Sequence, residues 1–500
     1  MEKIPKNKLS LVVRKVQEGK TTICIAYIMR DITTNIHIVI TMNALVASMQ
    51  FLGRMKQNIG QENIIVFNSS ARTADGCHHA KSVNAIFDII ERVPSIKVIV
   101  CCAHFSRIRT SIPDIILSAR ERVSSRGKTR KFVIHIDEAH AYIPRYRDNI
   151  TDFNDSPLVA KIIGYSASPD PIWSPSDGEI FKSILICDVE KDLGIIHSAD
   201  YFGVKNCVPI ISTDTEEALD LLRTSGPYNT STAISDKVLI LSGDTKYKTW
   251  YGRGARFSIG DECLYLNYIT SIIPTLNIKK NEFSYNFIPA YFRKATQYEA
   301  VIILLKTFRN ANVIVVNSDG IILYRKDSKN RVYKVISGNA LIKKAVKSGA
   351  HKKSVKLLEP AFVIREMIKD FPNCPVFITG YTCIGMSMTL IDEHIGNFDN
   401  AIMPHLHLLD NREQMYQFCR FVFNYANWSP KYKNKIKKTN LFALTREIYN
   451  ICIEYETHIE TLSGDTFAGK YAAILESQSE SESESESESE SEAESETLDS

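Results

Sequence analysis

Short β-branched runs recur through the first third of this chain, each followed by a stretch with helical periodicity, and that alternation constrains the fold more than any other feature. LSLVV (9–13) precedes TTICIAYIMR, and HIVIT (37–41) precedes MNALVASMQFLGRM. NIIVF (63–67) precedes a segment with Val83, Ile86, Phe87 and Ile90 at one-face helical spacing, and KVIVCC (97–102) and FVIHI (132–136) are further runs. Strands this apolar are buried on both faces, as in a parallel sheet covered by helices on either side. A doubly wound α/β domain is expected, with its ligand at the carboxyl ends of the strands. Roughly 190–290 reads less regularly, mixing helix-like TEEALDLLRTS with short runs such as KVLIL (237–241). From about 295 the rhythm returns: QYEAVIILLKTF is helical, and NVIVV (312–316) and PVFIT (375–379) are strands, so a second α/β domain follows.

The chain ends on a different pattern. SQSESESESESESESEAESE has like charges and nothing apolar to bury, so a disordered acidic tail is expected. Residues 476–500 hold 11 acidic residues and no Lys or Arg. The whole chain carries +4, but residues 1–475 set 61 basic against 46 acidic residues, a net +15. A body of that charge suggests a polyanionic partner; the plainer reading is that Lys is a common surface residue. No run approaches the ~18 apolar residues of a membrane span, and MEKIPKNKLSLVV lacks a signal peptide's apolar stretch. An intracellular protein without a membrane partner is expected. The 11 cysteines include no Cys-x-x-Cys pair and read as reduced core thiols; His78 and His79 beside Cys77 lack a distant fourth ligand.

Two short segments carry chemistry. KVQEGKTT (15–22) lies directly after a strand and opens a helix. A phosphate-binding loop needs inward backbone N–H groups, a Lys for the β/γ-phosphates and a hydroxyl for Mg²⁺, and Gly19, Lys20 and Thr21 supply the end of that motif. The full pattern wants a further Gly where this chain has Arg14. VIHIDEAH (133–140) ends a strand in paired carboxylates, Asp137 and Glu138. In nucleotide hydrolases the first orders Mg²⁺ and the second positions the attacking water. Alone, the pair also suits acidic capping of a helix N-terminus.

Together these residues resemble superfamily 2 helicases of the DEAH-box kind, and in detail the predicted helicases of giant double-stranded DNA viruses. The similarity covers most of residues 8–430. KVQEGKT is similar to motif I in a variant with Gln17 ahead of Glu18-Gly19-Lys20-Thr21, with Thr22 following. HIVITMNALVASMQF resembles motif Ia, DEAH (137–140) motif II, and GYSASP, with Ser166 and Ser168, motif III. IPAYFRKATQY (288–298) and NVIVVNSDG (312–320) resemble the start of the second domain and motif IV. FITGYTCIGMSMTL (377–390) resembles motif V, with Thr379 and Gly385 in place but Ser387 where an acidic residue is usual. YQFCRF (416–421) sits where motif VI belongs, with Gln417 and one arginine, Arg420, instead of two; Arg412 is the other arginine nearby.

The resemblance implies two tandem RecA-like domains with parallel sheets: an ATP-binding domain at 1–190, a connecting region or extension of the second domain at 191–284, a C-terminal helicase domain at 285–465, and the Ser/Glu-rich tail at 466–500. It implies an ATP-dependent helicase on RNA or DNA. Lys20 would hold the phosphates, Thr21 and Asp137 the Mg²⁺, and Glu138 the water. Gln417 and Arg420 would sense the γ-phosphate, while Ser166, Ser168, Thr379 and Gly385 would couple the ATP site to the strand. Two rivals are a translocase or remodeller that moves without unwinding, and a nucleic-acid-binding scaffold with a decayed ATPase. Lysine-rich IKKAVKSGAHKKSVK (342–356) and KYKNKIKK (431–438) suit sequence-independent phosphate contact, or are solvated surface. Trp428, after Tyr425, packs under the domain or stacks on a base. A viral protein of this kind would work in the host cytoplasm or be carried in the virion.

Overall fold

A computed structural model of the chain describes residues 7–42, 45–69, 76–123, 130–172, 179–196, 201–213, 215–228, 259–290, 294–347, 359–381, 384, 388–391, 394–404, 412–422 and 438–462. The KVLIL run, Gly385, Ser387, the lysines from 352 to 356 and 431 to 437, Tyr425, Trp428 and the Ser/Glu tail lie outside the described residues.

The described strands form two eight-stranded sheets in tandem. The first holds β1 (Leu9–Val13), β2 (Asn35–Thr41), β3 (Ile64–Phe67), β4 (His78–Ala80), β5 (Val98–Cys102), β6 (Lys131–Asp137), β7 (Val159–Ser166) and β8 (Leu185–Ile186). Its order is β4-β3-β5-β2-β6-β7-β1-β8, and every described pairing in it is parallel. The second holds β9 (Val208–Ile211), β10 (Tyr285–Phe287), β11 (Asn312–Asn317), β12 (Gly320–Lys326), β13 (Val332–Ser337), β14 (Val376–Gly380), β15 (Asn400–Ile402) and β16 (Asn440–Ala443). Its order is β13-β12-β11-β14-β10-β15-β16-β9, with only the β11–β12 and β12–β13 pairs antiparallel. The expected pair of RecA-like α/β units is therefore the architecture of the chain.

Burial explains the sheet type. All five residues of β1 and all six of β11 are buried, as parallel strands with helices on both faces require. β13, at an edge, has only its first residue buried. β9, from the irregular middle of the chain, forms the far edge of the second sheet against β16. The helix Ile259–Ile272 is covered nearly all round; its Asn267 amide accepts from Tyr228 N at 2.9 Å and donates to the Leu222 and Tyr228 carbonyls, each at 2.9 Å. Among the described residues no helix is long and apolar enough to cross a membrane.

The first sheet also buries an imidazole pair. His37 Nδ1 is 2.9 Å from His135 Nε2, and His135 Nδ1 is 2.9 Å from the Tyr165 hydroxyl. Burial pushes His37 down to about 4 and holds His135 well below the usual histidine range. Unfolded, both imidazoles take up protons near pH 6.5, so between about 6.5 and 4 the unfolded chain binds more protons than the native one. Stability from this pair is complete above that window and is lost as pH falls through it, by about 3 kcal/mol for His37 alone. Denaturant unfolding from pH 7 to 4.5 is expected to show the unaltered protein losing stability relative to His37→Gln. A difference constant with pH would mean that His37 is not held neutral.

Candidate active site

β1 delivers the chain to a loop that folds back on itself before the helix Lys20–Asp31 begins. Arg14 N donates to Ser166 O at 3.1 Å, tying the loop's start to the end of β7. Lys15 N donates to Glu18 Oε2 at 2.9 Å, and Glu18 N to Lys15 O at 3.1 Å. Gly19 adopts φ 78°, a left-handed turn that glycine takes without strain, and its carbonyl accepts from Ile23 N at 3.1 Å. Lys20, first in the helix, is buried with its Nζ 3.4 Å from Lys15 O. Burial lowers its pKa, while Glu138, Asp137 and Glu18 act to raise it. Thr21 is half-buried beside it and Thr22 is exposed. Arg14, in the position where the full motif wants Gly, is buried.

The carboxylates leave the end of β6, two strands from β1 in the sheet. Glu138 sits at φ 51°, ψ 52°, an uncommon conformation for a residue with a side chain, and is 3% exposed. Gly164 on β7 makes this turn fit: a Cβ there would lie 2.6 Å from the Leu11 side chain and 2.8 Å from the Ala139 Cβ. Asp137 is half-buried; burial and then the neighbouring Glu138 push its carboxyl up to about 7, against Lys20 and Arg420.

The second sheet's unit closes over this edge with the helix Arg412–Gln417 and the turn Cys419–Phe421. Arg420 Nη2 donates to Glu138 Oε1 at 3.0 Å and to Gln417 Oε1 at 2.8 Å. Gln417 Nε2 donates to Ser168 Oγ at 2.8 Å. Ser168 N donates to Ser166 Oγ at 3.0 Å, which pairs with His140 Nδ1 at 3.1 Å, and His140 Nδ1 is 3.6 Å from Glu138 Oε2. These groups make a buried circuit from Glu138 through Arg420, Gln417, Ser168, Ser166 and His140 back to Glu138. Aromatic contacts hold the turn in place: Phe418 packs on Tyr381 at 5.2 Å between centroids and Phe421 on Phe287 at 5.9 Å. Arg412 lies apart, partly exposed and paired with Glu454 at 3.1 Å.

The loop after β1 is also gripped from the second unit, by Tyr201, outside the motif-like segments, and by Tyr416, Met388 and Thr389 within them. Val16 N donates to the Tyr416 hydroxyl at 3.3 Å, and the Tyr201 hydroxyl donates to Val16 O at 2.7 Å. Burial raises the pKa of both phenols, so both remain protonated. Gln17 Nε2 donates to Met388 O at 2.8 Å, and Thr389 Oγ1 donates to Gln17 Oε1 at 3.3 Å and accepts from Arg54 Nη2 at 3.0 Å. Tyr201, Tyr416 and Thr389 reach the loop, and Arg54 reaches Thr389, across separations in sequence that leave no local signal of the pairing. Thr379 is buried near the end of β14, and among the described residues its hydroxyl has no hydrogen-bond partner.

No protein-family profile matches the chain, and no curated protein matches it in sequence. Several solved structures are similar to the chain at low identity. The Hef helicase domain of Pyrococcus furiosus is 13% identical over 89% of this chain and 94% of its own, with a TM-score of 0.35. S. cerevisiae Dbp5 bound to RNA and ADP BeF3 is 12% identical over 92% and 84%, with a TM-score of 0.38. The DNA-bound ATP-dependent Type ISP restriction-modification enzyme LlaBIII is 11% identical over 92% of this chain, with a TM-score of 0.46. The chain spans 28% of that enzyme's length.

Proposed function

We propose that this chain is an ATP-dependent nucleic-acid helicase of the DEAH-box kind in superfamily 2, with its relatives among large double-stranded DNA viruses and its work inside the host cell. The observation that carries the reading is the convergence at one buried edge of Lys20, Asp137 and Glu138 from the first unit with Gln417 and Arg420 from the second. A cleft that needs both units couples their separation to whatever binds between them.

Lys20 holds the β/γ-phosphates in this reading, and the loop's backbone N–H groups and the start of the helix Lys20–Asp31 complete an anion site. Thr21 and Asp137 offer the hard oxygen donors that Mg²⁺ takes. Asp137, its carboxyl pushed up to about 7 by burial and then by Glu138, is a group whose charged form a divalent cation would stabilise. Bound Mg²⁺ supplies neutralisation of the phosphate oxygens. Glu138 accepts a proton from the attacking water at Oε1 or Oε2, and Arg420 stabilises charge on the transferred phosphoryl group. Ser166 and Ser168, hydrogen-bonded to His140 and Gln417, pass the state of the site to the strand-binding face, as do Thr379 and Gly385.

ATP turnover measured with single- and double-stranded RNA and DNA side by side tests the reading. Turnover stimulated by a nucleic acid is expected, and strand displacement then separates a helicase from a translocase. Turnover that no nucleic acid alters would overturn the proposal. Binding is expected to be largely electrostatic. Replacing Lys352, Lys353 and Lys356 by Ala should lower the slope of log K against log salt by about 2 for single strands, at ~0.7 per lost phosphate contact. An unchanged slope would make that segment plain solvated surface.

A further inference from the structure

The carboxyl edge of the first sheet is used over only part of its width by the site described above. β1, β7 and β6 end at the phosphate loop, the serines and the carboxylates, whereas the adjoining strands β2, β5 and β3 end on a different surface. β5 runs into Ala103–Ser111, a segment with His104, Arg107 and Arg109 and no acidic residue. Phe105 in that segment is 55% exposed, the most exposed aromatic among the described residues.

This segment is held firmly. Ala103 N donates to Thr41 O at 2.8 Å, fixing it to the end of β2, and Arg107 N donates to His104 O at 2.9 Å. His104 Nδ1 pairs with Ser106 Oγ at 2.9 Å, and Ile108, 2% exposed, anchors it in the core. Arg107 lies over Phe67 at the end of β3, its Cζ 3.6 Å from the ring centroid. A π-turn, Arg107–Ser111, then leads into the helix Ile112–Val123. Held in this way, Phe105 projects into solvent with the guanidinium of Arg109 4.3 Å from its ring centroid. A lone exposed apolar side chain is ordinary on a protein surface. A rigidly presented aromatic ring, with arginine against it and no local acid, on the edge where a parallel sheet binds ligands, is a specific combination.

We propose that Phe105 and Arg109 form a stacking platform for an unpaired base of single-stranded nucleic acid. The ring offers its π-face to any base, Arg109 meets the adjoining phosphate, and Arg107 adds positive charge beside them. Two inter-strand spacings, roughly 10 Å, separate β5 from β6 and its carboxylates. A strand on this platform thus lies on the same edge as the nucleotide site. The inference rests on the proposed function, because the ring needs a strand whose bases are free.

The test compares the unaltered full chain with Phe105→Ala, Phe105→Trp and Arg109→Ala. Fluorescence anisotropy is read with a labelled single strand, an abasic strand of equal length and a duplex. Phe105→Ala is expected to weaken binding of the base-bearing strand by roughly 10-fold and to leave the abasic strand and duplex unchanged, as loss of one base–aromatic stack predicts. Phe105→Trp should retain affinity and show indole quenching on binding. Arg109→Ala should weaken base-bearing and abasic strands alike and lower the salt slope. If Phe105→Ala binds the base-bearing strand as the unaltered protein does, or loses affinity equally for the abasic strand, the platform is wrong while the helicase reading stands. If the unaltered protein binds no nucleic acid, the helicase reading itself has failed.

Discussion

Glu138→Gln is expected to bind ATP as the unaltered protein does and to turn it over roughly 10³-fold more slowly, within the usual range for loss of a positioned general base. The substitution keeps the shape of a side chain 3% exposed in a constrained left-handed turn, and its amide oxygen still faces Arg420. What it removes is the group proposed to take the proton from water. Lys20→Ala fails for another reason: it deletes the ammonium expected on the β/γ-phosphates, so nucleotide affinity itself falls. Titration with a fluorescent ATP analogue separates the two, showing retained binding in the first and weakened binding in the second. Hydrolysis by Glu138→Gln at the parental rate would show that Glu138 is not the base.

Strands buried on both faces were legible because burial demands continuous apolar runs; LSLVV became β1 and NVIVVN became β11. The other half of the second sheet gave no such signal. β10, β15 and β16 are three or four residues long and carry asparagines at paired positions: Asn286 opposite Asn400, and Asn400 opposite Asn440. Asn400 Nδ2 donates to Asn286 Oδ1 at 2.7 Å, and Asn440 Nδ2 to Asn400 Oδ1 at 3.0 Å, while Asn286 Nδ2 donates to Val376 O at 3.0 Å. Each buried amide finds a lateral partner across the strands. In sequence, an isolated asparagine in a short run reads as a loop.

The candidate site divides along the same line. Gly19-Lys20-Thr21 and Asp137-Glu138 stand out because a phosphate loop and a carboxylate pair need neighbouring residues on one turn. The grip of Tyr201 and Tyr416 on Val16 joins residues 185 and 400 positions apart, and only folding brings them together. Phe105 carries no signal in the sequence, because an aromatic after a strand resembles any core residue until its exposure is known.

Arg420→Ala is expected to act twice. Turnover should fall by 10³-fold or more, the scale of an arginine that stabilises phosphoryl-transfer charge. Without nucleotide the protein should also lose about 3 kcal/mol of stability, because removing one partner leaves the other's buried charge poorly compensated. Arg420 and Glu138 are both under 5% exposed and 3.0 Å apart, so the guanidinium is a major part of what makes that carboxylate tolerable. His140, 3.6 Å from the other carboxylate oxygen, is a weak substitute because burial lowers its pKa. On the proposed reading the pairing also sets an order of events: Arg420 would leave Glu138 before the carboxylate meets water, with a γ-phosphate as the competing anion. Stability and turnover should therefore separate in the double variant Arg420→Ala/Glu138→Gln. Neutralising the stranded carboxylate should restore most of the lost stability, a non-additive result for two groups in contact. Turnover should stay as low as in either single variant, since neither function returns. Denaturant unfolding without nucleotide and steady-state ATP hydrolysis read the two effects. If Arg420→Ala is as stable as the parent, or the double variant is less stable than either single one, the ion pair does not hold the two units together as described.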